Sequence, residues 1–163
     1  MIFLTIGSHE PFDRLVRAFD DWCGAHPQED AFAQIAHVGH GGYRPQHCAW
    51  TEKLGPLEYS AHFNDAKLIV SHAGMGSIIT AMNLGKPLVV MPRRGHLQET
   101  RNDHQWATAQ RFAGKPGLFV ADDERALAVT MDQALAGGSL GDRGVSAFAE
   151  EMLIKRIRDM ILN

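Results

Sequence analysis

At 163 residues the chain is long enough to bury a core but short for two independent ones, so residues 1–163 read as one domain. Apolar residues make up 45% and charged residues 21%, which excludes the weakly hydrophobic, highly charged composition of a disordered chain. A formal net charge of -3 supplies no basic field for nucleic acid, and no run approaches the roughly 18–20 apolar residues of a membrane span.

The chain opens on an apolar stretch, residues 2–6, without a basic leader. It meets Gly7, Ser8, His9 and Glu10 before signal-peptide length, so it is expected to be a first strand. Short runs rich in β-branched residues then alternate with longer segments of helical period, the pattern of strand–helix–strand units around a parallel sheet. Strands are expected over residues 2–6, 32–38, 49–53, 68–71, 88–91 and 118–120. Helices are expected over 12–23, 57–63, 77–84, 103–112, 124–135 and 146–161. Gly39, Gly41, Gly42 and Pro45 mark an irregular loop, and Gly137, Gly138, Gly141 and Gly144 set the final helix apart. Within residues 145–161, Val145, Phe148, Met152, Leu153, Ile157 and Ile161 form an amphipathic stripe, which either packs on this domain's sheet or docks on another subunit. Cys23 and Cys48 lack Cys-x-x-Cys spacing and read as buried thiols in a reducing, cytoplasmic compartment.

The segment 67–110 carries the chemistry. In an open parallel sheet the ligand crevice lies beyond the carboxyl ends of the strands, so the 72–77 turn and the 92–103 loop should open onto one place. Gly74 and Gly76 strip side chains from a helix entrance whose unpaired N–H groups suit a diphosphate, and Ser77 adds a hydroxyl; without a ligand, the same glycines make an ordinary tight turn. His72 can donate to a phosphate or sugar oxygen, or be satisfied locally. Arg93 and Arg94 can pair with phosphate or face solvent. Asp103, His104 and Gln105 can read sugar hydroxyls, while Asn102 or Asp103 also serves as a helix cap.

The run Ala66-Lys67-Leu68-Ile69-Val70-Ser71-His72-Ala73-Gly74-Met75-Gly76-Ser77, followed by Gly85-Lys86-Pro87 and Asp103-His104-Gln105, resembles the carboxyl-terminal, donor-binding domain of glycosyltransferase family 28. Thr5-Ile6-Gly7-Ser8 fits the same pattern. The resemblance implies a Rossmann-like α/β fold, an open parallel sheet flanked by helices that forms one half of a GT-B architecture. It is similar to the small donor-binding subunits of two-component UDP-sugar transferases, with Pro92-Arg93-Arg94, Glu99 and Asp103-His104-Gln105 favouring bacterial exopolysaccharide members. By position the donor residues are Gly7, Ser8, His72, Gly74, Met75, Gly76, Ser77, Thr80, Arg93, Asp103, His104 and Gln105, with Thr80 where many relatives place a ribose-binding glutamate. The implied partners are a UDP-sugar, a membrane-associated acceptor-binding subunit and, through it, a lipid-linked sugar acceptor; a homodimer is also open. No cofactor is implied, and without an Asp-x-Asp element no metal is required.

Two other readings, an oxidoreductase and a zinc protein, fit less well. A nicotinamide-dependent oxidoreductase needs a third glycine where Ile79 stands, and zinc binding by His37, His40, His47 and Cys48 lacks a fixed geometry. A non-catalytic UDP-sugar-binding or regulatory subunit remains the alternative, and His9 and Glu10 are local candidates for a general base.

Overall fold

The computed structural model describes residues 1–7 and 10–137. Six strands, β1 (Ile2–Thr5), β2 (Ala31–Gln34), β3 (Ala49–Thr51), β4 (Leu68–His72), β5 (Leu88–Met91) and β6 (Leu118–Val120), form one parallel sheet in the order β3-β2-β1-β4-β5-β6. Five helices connect them: α1 (Asp13–Ala25), α2 (Pro56–Asp65), α3 (Met75–Asn83), α4 (His104–Phe112) and α5 (Glu124–Ala136). The fold is the expected Rossmann-like α/β class.

Each central strand is buried on both faces, which is why β1, β4 and β5 read as continuous apolar runs rather than alternating ones. On one face Ile2, Leu4, Val70 and Val89 pack against Leu15, Val16 and Phe19 of α1 and Leu127 and Met131 of α5. On the other, Phe3, Ile69 and Val90 meet Phe63 of α2, Ile78 and Ala81 of α3 and Ala109 of α4. Each fully buried side chain of this size contributes about 1.5–3 kcal/mol. Local signals set the helix ends: Pro56 opens α2 while the Glu58 carboxylate accepts the Gly55 N–H at 3.0 Å, and Asp123 caps α5 by accepting from the N–H groups of Arg125 and Ala126, both at 3.0 Å.

Three expectations need correction. The second strand stops at Gln34 rather than Val38, because Ala36 turns the chain through φ 57° and the Glu52 carboxylate then takes the Val38 N–H. The third ends at Thr51. Cys48 is only half-buried, whereas Cys23 is buried and its thiol pKa is pushed up, first by its hydrogen bond with Cys48 and then by burial. The helix expected over 146–161 lies outside the described residues.

Strand order reverses between β1 and β4, since β1 leads outward to β2 and β3 while β4 leads to β5 and β6. The crevice beyond the carboxyl ends of this central pair is the natural ligand position in such a sheet.

Candidate functional site at the sheet's switch point

Three connections meet at this crevice: the loop after β1, the β4–α3 turn and the loop after β5. Gly7 leaves β1 with φ 84°, a backbone conformation that glycine adopts without strain. Its carbonyl accepts from the Gln34 amide at 3.1 Å, and the Gln34 carbonyl oxygen accepts from the Thr5 hydroxyl at 2.8 Å. Gln34 also donates to the Glu52 carbonyl at 3.3 Å and so ties together the ends of β1, β2 and β3. Its signal in the sequence is a lone amide within an apolar run, Ala31-Phe32-Ala33-Gln34-Ile35.

His72 ends β4 at the centre of the crevice. A side chain at Gly74 would place its Cβ 2.3 Å from His72 Nε2, and one at Gly7 would lie 3.2 Å from His72 Cε1. Both glycines thus make room for the imidazole, so Gly74 owes its identity to His72 as well as to the helix entrance. Burial, followed by the positive charge of Arg93, lowers the His72 pKa to about 4, with His104 adding to the fall and a backbone hydrogen bond at Thr5 opposing it. At neutral pH the ring is therefore uncharged and carries one N–H donor.

The α3 helix begins at Met75, two residues before the expected start, with Gly74 as its N-cap and no side-chain capping bond. The first-turn amides of a helix have no carbonyl partner within it, so the N–H groups of Met75, Gly76 and Ser77 present partial positive charge to the crevice. A Cβ at Gly76 meets nothing within 4 Å. Met75 is exposed and Ser77 buried, while the Thr80 hydroxyl donates back to the Gly76 carbonyl at 2.8 Å.

The structure corrects the role expected of Arg93. Its guanidinium, only 2% exposed, donates to the carbonyls of Pro11 (2.6 Å), Glu10 (2.7 Å), Ile6 (3.1 Å) and Glu99 (3.3 Å) and lies over the Phe12 ring, so it serves the backbone rather than a phosphate. Arg94 is also engaged, stacked over Trp106 at 3.9 Å and donating to the Asp122 carbonyl. Gln105 is buried, and its side-chain oxygen accepts the Arg93 N–H at 3.2 Å. Asp103 is exposed and accepts the Gly95 N–H at 2.9 Å, leaving Asn102 to accept the His104 N–H at the start of α4. Ser8 and His9 lie outside the described residues.

A cavity of about 440 Å3 lined by Glu10, Pro11, Gly95, Gln98, Glu99 and Arg101 adjoins this region. The larger one, about 610 Å3 between α1 and α5, includes no residue of the crevice and follows helix packing rather than the chemistry. Of the residues once considered for zinc, His37 sits on Glu52 at 3.0 Å and His47 on Asp20 at 3.3 Å, and no group of three metal-ligand side chains gathers among the described residues.

The model of the glycosyltransferase family 28 C-terminal domain matches residues 1–141. The chain belongs to this family. No individual curated protein matches it. Among solved structures, the glycotransferase of kitacinnamycin superposes with a TM-score of 0.61 at 22% identity, over 83% of this chain and 34% of that one. ALG13 superposes at 0.58 and 18% identity, over 96% and 93% of the two chains. Os79 from O. sativa, in complex with UDP, superposes at 0.60 and 16% identity, over 83% and 32%. The chain thus spans about a third of the kitacinnamycin enzyme's length (34%) but nearly all of ALG13 (93%). At these identities the likeness establishes the fold alone. No helix among the described residues is long and apolar enough to cross a membrane.

Proposed function

We propose that this chain is the donor-binding subunit of an inverting UDP-sugar glycosyltransferase, acting with a separate, membrane-associated acceptor-binding subunit in exopolysaccharide or lipid-linked glycan synthesis. The observation that carries the reading is the uncapped α3 N-terminus, open at Gly76 and set beside neutral His72 at the switch point of a family 28 sheet. That arrangement suits a diphosphate.

In this reading the amides of Met75, Gly76 and Ser77 take the diphosphate, with the Ser77 hydroxyl as a further donor, while the neutral His72 ring, held by its backbone hydrogen bond at Thr5, forms the wall beside them. Thr80 faces the ribose through the remaining capacity of its hydroxyl, and Gly7 lines the near wall, while Ser8 is assigned to the donor by its place in the family pattern alone. Asp103, His104 and the Gln105 amide nitrogen meet the sugar, since the Gln105 oxygen is engaged with Arg93. An acceptor hydroxyl attacks the anomeric carbon as the bond from that carbon to the phosphate oxygen breaks. UDP leaves with the bonding electron pair, and the hydroxyl proton passes to a base on the acceptor subunit. The growing phosphate charge falls to the helix amides, since Arg93 and Arg94 are spent on backbone and indole. The mechanism calls on no cofactor and no metal. Work in the cytoplasm, with the partner recruiting the chain to the inner membrane face, follows from the same reading.

Calorimetric titration with UDP, UDP-N-acetylglucosamine, UDP-glucose and UDP-glucuronate, in metal-free buffer with NAD as control, tests the donor role. Binding of the UDP compounds and not of NAD is expected, with differences among the sugars reporting substrate choice. Binding of NAD in preference to UDP would overturn the reading. Transfer activity that appears only when membranes carrying the acceptor subunit are added tests the two-subunit arrangement.

A further inference from the structure

Arg93 follows β5, yet its guanidinium reaches the carbonyls of the loop after β1, two strands away. β4 stands between them in the sheet, so the guanidinium passes the end of that strand, where its charge acts on His72. On the way it also takes the Glu99 carbonyl of its own loop, and its main-chain N–H is fixed from α4 by Gln105. A guanidinium is planar, with five donors in set directions, so carbonyls bonded to it are held at set separations.

A second fastening runs in parallel. Glu99 accepts both Nε and Nη2 of Arg14 from α1, each at 2.8 Å, and the Arg94 N–H at 2.9 Å, while Arg14 also donates to the Pro92 carbonyl at 3.2 Å. These bonds tie Ile6, Glu10, Pro11 and the start of α1 to the loop after β5.

We infer that Arg93 is a positioning residue for the donor crevice, a fixed strut that holds the loops after β1 and β5 at one separation. The strut rests on its hydrogen bonds; its effect on a ligand rests on the donor-site reading above. It keeps Gly7 and Gln105 in place before a donor arrives, so little ordering remains to oppose binding.

The test uses the full chain and the variants Arg93→Lys, which keeps the charge but not the fork, and Arg93→Met, which keeps neither. In wild-type protein under graded urea, hydrogen exchange of the bonded main-chain amides of Ile6, at the start of the loop after β1, and of Arg94, Gly95, Gln98 and Glu99 in the loop after β5 should follow a single opening curve. Two separate curves would overturn the strut without recourse to any variant. In folded Arg93→Lys both loops should exchange faster while β1 and β4 stay protected, and UDP affinity should fall by about tenfold or more, equivalent to about 1.4 kcal/mol. Faster exchange in one loop alone, or UDP affinity unchanged, would refute the inference. By NMR, the His72 pKa should rise in Arg93→Met and stay low in Arg93→Lys; no rise in Arg93→Met would mean that the guanidinium does not pass the end of β4. If the wild type fails to bind UDP, the donor reading falls, while the exchange curves still decide the strut.

Discussion

The substitution Gly74→Ala isolates the packing of His72. Gly74 has φ -93° and ψ 137°, which alanine adopts freely, so any penalty comes from the new methyl group and not from the backbone. That methyl would sit 2.3 Å from His72 Nε2 and 3.0 Å from both Cδ2 and Cε1, more than an ångström inside ordinary contact for the first of these. The ring must rotate out of its slot, and overpacking of this kind costs about 1–3 kcal/mol. Chemical denaturation at pH 7.5 measures it; in a thermal melt each kcal/mol corresponds to about 2–4 °C. In a His72→Ala background the clash has no partner, and the added penalty of Gly74→Ala should vanish, giving a coupling of about the same 1–3 kcal/mol. Equal destabilisation in both backgrounds would refute the claim that the imidazole dictates this glycine.

Folding should favour neutral His72. Its folded pKa of about 4 lies below the ordinary 6.5, so between these values the unfolded chain binds the extra proton. Stability is full above pH 6.5 and falls by as much as about 3 kcal/mol toward pH 4, a fall that should flatten in His72→Gln. The lowered carboxylates Glu52 and Glu124 join the loss only below about pH 4.5 and Asp20 below about 3.8, so the fall between pH 6.5 and 4.5 reports His72. Gly76→Ala, in open space on the first turn of α3, should raise stability by a few tenths of a kcal/mol up to about 1 kcal/mol, while Gly76→Val should abolish UDP binding without unfolding the chain. Unimpaired UDP binding in folded Gly76→Val would place the diphosphate elsewhere. Gln105→Glu keeps an oxygen for the Arg93 N–H and removes the amide donor, so calorimetry should show weaker UDP-sugar binding with UDP itself little changed. Gln105→Ala should weaken both, because the strut loses its hold on α4.

The sheet was legible because burial on both faces writes itself as uninterrupted apolar runs, and β5 and β6 match the expected bounds residue for residue. Where a special backbone angle falls on an ordinary residue, the pattern misleads. Ile35 and Val38 extend the second strand's apolar pattern, but Ala36 at φ 57° ends it, and nothing about alanine announces a left-handed turn. Charged side chains were the hardest to read. Arg93 and Arg94 are chemically alike and adjacent, yet one is buried among carbonyls and the other lies on an indole, because side chains alternate at the strand's exit and only the fold says what waits on each side. Gly74 makes way for the His72 ring and Asp103 holds the Gly95 amide, contacts that depend on distances no sequence pattern carries.

The pairing of β1 with β4 has a kinetic side. Ile2 sits beside Leu68, so the central seam joins strands far apart along the chain. Such long-range pairing is entropically late and slows folding. The crevice spans that same seam, so a bound ligand bridges the two halves of the chain and resists their separation. Its dissociation constant would then appear twice, once in the binding isotherm and again as slower unfolding of the seam.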